Sequence, residues 1–177
     1  MWPSMKINSA LAFLLFTSAS IAQSVPAGSL PTACGPNDVK FAVHTESRPS
    51  LIPPIPQGAS RLVVFSESYN VGSRCGGSAT RLGLDGRWVG VNCLGSYTSV
   101  DITPGEHHLC ANVGSKDGVK YTALNSFSAE PGNTYYFRAT VFLGVFDPET
   151  FIHMEPLDGD EGAFLMGSWE VSKSQQK

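Results

Sequence analysis

The dipeptide Asp85-Gly86 stands between two segments of alternating hydrophobicity, residues 80–84 and 87–92. Two-residue loops that match the twist of paired strands favour positive φ at both central positions, and Asp-Gly takes that conformation at low steric cost. The chain is therefore expected to form a tight antiparallel hairpin here. A two-residue turn pairs Leu84 with Arg87, Gly83 with Trp88 and Leu82 with Val89. In that register Leu82, Leu84, Val89 and Val91 share a core face. Arg81, Gly83, Trp88 and Gly90 share the opposite face, with Trp88 lying over strand glycines.

The rest of the chain continues in the same vein. Val39, Phe41 and Val43 alternate with polar neighbours over residues 38–45, as in a half-buried strand. Residues 48–58 carry four prolines, which cannot donate to a ladder, so they form an extended loop. Arg61 leads into a short continuous apolar run, Leu62 to Phe65, whose β-branched content favours a central strand over a helix. Pro104-Gly105 and Pro131-Gly132 each introduce a further strand, and residues 151–155 alternate again. Asp158 with Glu161 three positions later has the form of a helix N-cap, followed by a short helix through Ala163, Phe164, Leu165 and Met166. The fold class expected is all-β, a mainly antiparallel β-sandwich of about eight or nine strands with one short C-terminal helix. With 18 Gly and 12 Pro in 177 residues, the composition agrees with many tight turns and little helix.

The N-terminus reads as a secretory signal. Lys6 supplies a positive start, Ala10, Leu11, Ala12, Phe13, Leu14, Leu15 and Phe16 an apolar centre, and Ser20-Ile21-Ala22 small residues before a cut at Gln23. The apolar run is shorter than the about 20 residues that cross a bilayer as a helix. The expected organisation is a signal peptide over 1–22, a linker over 23–33, a sandwich domain over 34–172 and a polar tail over 173–177. Loss of Lys6 with the leader takes the formal charge from −3 to −4. No basic cluster exists, which argues against nucleic acid and anionic lipid as partners. Cys34, Cys75, Cys93 and Cys110 are an even set in an exported chain, as expected for two disulfides, and three pairings are open.

Several blocks together resemble a known family. They are Arg81-Leu82-Gly83-Leu84-Asp85-Gly86-Arg87-Trp88-Val89-Gly90, Gly95-Ser96-Tyr97, the run from Pro104-Gly105-Glu106 through His107-His108-Leu109-Cys110-Ala111, Gly132-Asn133-Thr134-Tyr135-Tyr136-Phe137, and Asp160-Glu161-Gly162 with Phe164-Leu165. In order and spacing they look like the bacterial domain of unknown function 2846 family, over residues 34–172. The likeness is to exported members of the acidobacterial type. A fainter likeness is to the envelope modules named for a Pro-Glu-Gly-Ala signature. The resemblance implies a β fold and an extracytoplasmic location, and it carries no activity or catalytic residue. It also implies the pairing Cys34 with Cys110, which leaves Cys75 with Cys93.

Candidate chemistry is sparse. His107, His108 and Cys110 are possible ligand types, yet neighbouring strand residues point to opposite faces, so His107 and His108 do not share an ion, and a disulfide would occupy Cys110. No serine sits in a nucleophile elbow, and Gly76-Gly77 leads into a strand rather than opening a helix as a phosphate loop does. Asp158, Asp160 and Glu161 read as helix capping rather than a calcium loop. Neither a metal nor a cofactor is expected. Aromatic residues on a sheet face stack on sugars or proteins, which singles out Tyr69, Trp88, Tyr97, Tyr121, Tyr135 and Tyr136. Of these, Trp88 and Tyr97 join Arg81 in the candidate binding surface, since Trp and Arg concentrate at binding hot spots. The bland reading has the C-terminal helix covering Trp88. The expected function is a non-enzymatic envelope or periplasmic binding or scaffold module with a protein or glycan partner. The rival is a small metal-dependent or hydrolytic enzyme using His107, His108 or His153.

Overall fold

A computed structural model describes residues 31–47, 52–68, 75, 79–115, 118–142 and 151–177. The segments read as signal peptide and linker, up to residue 30, together with Tyr69 and Gly76-Gly77, lie outside the described residues. Ten strands and one helix follow in the order β1 (Phe41–Glu46), β2 (Ser60–Ser68), β3 (Thr80–Leu84), β4 (Arg87–Asn92), β5 (Ser96–Ile102), β6 (Gly105–Ser115), β7 (Gly118–Ala129), β8 (Thr134–Phe142), β9 (Phe151–Leu157), α1 (Gly159–Ser168) and β10 (Glu170–Gln176). They build two open sheets, one of six strands ordered β1-β10-β5-β2-β8-β9 and one of four ordered β4-β3-β6-β7. Most pairings are antiparallel; β2 with β8 and β10 with β5 are parallel. The expected β-sandwich with a C-terminal helix is what forms.

The continuous apolar run of β2 has a simple cause. Leu62 and Val64 point between the sheets, where they meet Leu82, Leu109, Phe137 and Met154. Val63 and Phe65 point to the other face, where Tyr97, Met166 and Val171 cover them together with Trp169 and Leu165. A strand buried on both faces needs apolar residues at every position, and β2 is central in its sheet. Helix α1 is thus a third layer, lying on the outer face of the six-stranded sheet. Asp158 caps it as expected, its carboxylate accepting from the Glu161 N–H at 2.8 Å. Arg138 on β8 ties the helix down, donating to Glu161 on α1 and Glu155 on β9.

Two expectations need correction. The polar tail begins inside β10, which pairs with β1 through Gln176. Its polarity has a structural reason: the Ser172 hydroxyl accepts from the Cys93 N–H at 2.9 Å and the Ser174 hydroxyl from the Val91 N–H at 3.1 Å. Alternate serines of β10 thereby serve alternate backbone donors, Val91 of β4 and Cys93 just beyond it, across the gap between the sheets. The hairpin register is also shifted. Gly83–Trp88 and Leu84–Arg87 pair as expected, but a β-bulge places Leu82 opposite Gly90 and leaves Val89 as the extra residue.

Both disulfides are present, Cys34–Cys110 with Cα atoms 5.2 Å apart and Cys75–Cys93 at 4.4 Å. The first ties the N-terminal segment to β6, in the centre of the four-stranded sheet.

Candidate functional site

Asp85 and Gly86 take φ of 50° and 84°, as the turn requires, and the turn sends Trp88 to the outer face of the four-stranded sheet. Arg81 stacks on it, with the guanidinium carbon 4.5 Å from the ring centroid. The expected pair is therefore real, but it is committed to the chain itself. The Arg81 guanidinium donates to Asn112 Oδ1 from two nitrogens, at 2.8 and 3.2 Å, and burial lowers its pKa. The Trp88 indole N–H donates to the Pro36 carbonyl at 2.7 Å. Gly35 lies so close against the indole that any side chain there would overlap the ring. Gly83 lies under Cys34 and Ala33. The Cys34–Cys110 bond anchors this strap over the floor.

Tyr97 does not join this surface. It lies on β5 in the other sheet, 2% exposed, with its ring 5.5 Å from that of Phe65. Helix α1 does not cover Trp88 either. It lies on the far sheet, and its Phe164 is 72% exposed.

The three candidate histidines, His107, His108 and His153, do not converge on one site. His107 is buried on β6, where Nδ1 is 2.7 Å from Asp85 Oδ2 and Nε2 is 2.7 Å from the Thr103 carbonyl. Both neighbours are acceptors, so a ring satisfying both must carry two protons. Burial alone would lower the His107 pKa, but the Asp85 hydrogen bond, the Thr103 carbonyl and the Asp85 charge together raise it. Asp85 is held below the usual carboxylate value: burial opposes this, and the His108 N–H and the His107 ring outweigh it. His108 points to the other face of β6 and is exposed, and His153 is exposed on β9 in the other sheet. Among the described residues no cluster of three or more His, Cys, Asp or Glu side chains is placed to hold a metal ion.

A concavity among the described residues lies elsewhere. β10 and β5 start as a parallel pair, Glu170 with Ser96 and Val171 with Tyr97, and pair no further. Beyond that point the Ser174 hydroxyl holds β10 against Val91 of β4, while Ser172 still bonds Ser96 of β5. A cleft of about 550 Å³ opens between them. Thr98, Ser99 and Asp101 of β5 form one wall, Ser172, Lys173 and Ser174 of β10 the other. Val89 lines it from the facing sheet and Met166 from the helix. Tyr97 borders it, so one residue of the expected surface reaches this site. At one end Arg61 is fully engaged, donating to Asp101 at 2.7 Å and to the Pro53 carbonyl at 2.6 Å. The sequence holds no clear sign of this cleft, because it depends on β10 leaving its sheet through two serine side chains. The alternation of serines at 172 and 174 is the one available hint.

No family model, curated protein or solved structure matches the chain.

Proposed function

We propose that this protein is an exported, non-enzymatic binding module of the bacterial envelope or periplasm, and that it holds its partner in the cleft between β5 and β10. The observation that carries the reading is the cleft: a concavity of about 550 Å³ bounded by two strands that part company, lined by hydroxyls, apolar groups and two side chains of each charge. Its size falls within the range of ordinary ligand sites. None of the three histidines lines it. The signal-like residues 1–22 and the two disulfides support export. Among the described residues no helix is long and apolar enough to cross a membrane.

Two measurements test it. N-terminal sequencing of protein recovered outside the cytoplasm is expected to begin near Gln23; an intact Met1 or Met5 in a soluble cytoplasmic pool overturns the export claim. For the cleft, partner cross-linking is compared between the native protein and Ser99→Trp, which places an indole on the exposed β5 wall. Loss of cross-linking with an unchanged melting temperature is expected. Equal cross-linking by both proteins removes the cleft from the reading.

A further inference from the structure

We propose that the cleft takes an extended, uncharged peptide segment of a partner protein, which enters as an added strand between β5 and β10. The inference rests on the binding reading above and names the ligand class for the same site.

The first argument is backbone geometry. In an antiparallel ladder, alternate residues direct their N–H and C=O groups to one side and the intervening residues to the other. β5 spends one side on β2 throughout Ser96–Ile102. Over residues 98–101 its other side pairs with no strand among the described residues, so alternate residues there direct donors and acceptors into the cleft. β10 spends one side on β1, and from Ser172 onward its other side likewise lacks a strand. Two strand edges therefore face each other across the gap, each able to bond an inserted main chain, which is the physics of strand addition.

The second argument is size. A four-residue strand within a stacked sheet occupies about 13 Å by 4.8 Å by 10 Å, or roughly 600 Å³. The cleft holds about 550 Å³. The gap is also held open rather than merely unfilled. For β10 to close onto β5 it would have to release the bonds of Ser172 and Ser174 to the Cys93 and Val91 N–H groups.

The third argument is lining chemistry. A strand projects side chains alternately to its two faces. On the side of the facing sheet an inserted strand meets Val89, and on the helix side Tyr97, Met166 and Val171. Both sets of side chains find apolar seats. Charge is balanced: Arg61 is paired with Asp101, and Glu46 is offset by Lys173. An uncharged segment with small or apolar side chains fits this wall better than an acidic or basic one.

The test uses the full mature protein and four blocked heptapeptides alternating Thr with Val, Leu, Tyr or Ser, measured by calorimetry. Each has a twin N-methylated at alternate backbone nitrogens, and a neutral trisaccharide of N-acetylglucosamine serves as the glycan probe. At least one peptide is expected to bind saturably to the native protein. Its N-methylated twin is expected to bind about tenfold more weakly or worse, since two or so lost hydrogen bonds suffice for that factor. Ser99→Trp is expected to weaken it too, and amide resonances of residues 98–101 to shift on titration. Peptide binding indifferent to N-methylation, no peptide binding below about 1 mM, or saturable binding of the trisaccharide in the cleft overturns the inference. If Ser99→Trp still abolishes partner cross-linking in those cases, the cleft remains the binding site and only the strand assignment falls. If cross-linking is also unaffected, the binding reading falls with it.

Discussion

His107 and Asp85 form a buried-to-surface ion pair at 2.7 Å that joins β6 to the turn of the β3–β4 hairpin. Asp85 also accepts the His108 N–H at 2.8 Å through its other oxygen, and its own N–H donates to the His108 carbonyl. One carboxylate thus fixes the turn on the neighbouring strand. Because the pKa of folded His107 is raised, its contribution is fully present below its unfolded value of about 6.5 and is lost as pH rises through the higher folded value. For Asp85, whose pKa is lowered, the contribution is present above about pH 4 and is lost as pH falls through the lower folded value. The pair therefore stabilises most between about pH 4 and 6.5. Asp85→Asn, which keeps a residue tolerant of positive φ, is expected to cost about 1–2 kcal/mol in that window, discounted for the exposed carboxylate. Melting temperatures across pH 3–9 check this. The deficit should narrow above neutrality, and a pH-independent deficit would show that the pair is not the cause.

Ser172 accepts from a buried backbone N–H and lies beside the Ser96 hydroxyl, which itself donates to the Cys93 carbonyl. Ser172→Ala leaves the Cys93 N–H buried without that partner. The expected cost is about 1–3 kcal/mol, the penalty for an orphaned buried donor. Ser174 is exposed, so water can replace its hydroxyl at Val91 and Ser174→Ala should cost clearly less. Urea midpoints of the two variants check the order; equal losses would mean that the serine bonds do not hold β10 in place.

The two disulfides should differ in worth. Cys34–Cys110 spans 76 residues and Cys75–Cys93 spans 18. Loop-closure entropy assigns about 4.5 kcal/mol to the longer loop and about 3 kcal/mol to the shorter. Replacing Cys34 and Cys110 together by serine is expected to lower the denaturation midpoint more than the same change at Cys75 and Cys93. It should also raise the quenching of Trp88 fluorescence, since the strap holding Gly35 against the indole loses its anchor. A larger loss from the shorter loop would contradict the entropic ordering.

How far the sequence reached is clear from particular residues. Local rules found the Asp85-Gly86 turn, the Asp158 cap and the central place of β2, because each is written in a few adjacent side chains. The cation–π pair was legible for the same reason: a two-residue turn fixes which residues share a face. The bulge at Val89 was not, since an inserted residue leaves the alternating pattern nearly intact while reversing the pairing beyond it. β10 was missed because Glu170–Gln176 carries a single apolar residue, Val171. Its other positions satisfy backbone donors of β4, pair with β1 or face water. The cleft followed from β10 and was invisible with it. The strap over Gly83 was missed because residues 33–36 have no pattern of their own. Only the disulfide partner tells where they go.

That strap changes what Trp88 is expected to do. From the sequence, Trp88→Ala should weaken partner capture and leave stability nearly untouched. With the indole donating to Pro36, stacked under Arg81 and pressed against Gly35, the side chain is a structural clamp. Its removal opens a space between strap and sheet and leaves the Pro36 carbonyl without its donor. A fully buried Trp truncated to Ala costs about 3–5 kcal/mol. Trp88 is half-buried, so about 2–3 kcal/mol is expected on the same scale. Trp88→Phe should recover most of the packing and lose only the hydrogen bond, about 1 kcal/mol. Partner cross-linking at the β5–β10 cleft should survive both changes at temperatures where the variants are folded, because the cleft lies on the other side of β4. A Trp88→Ala protein that melts with the native one yet loses its partner would return the binding site to the Arg81–Trp88 face.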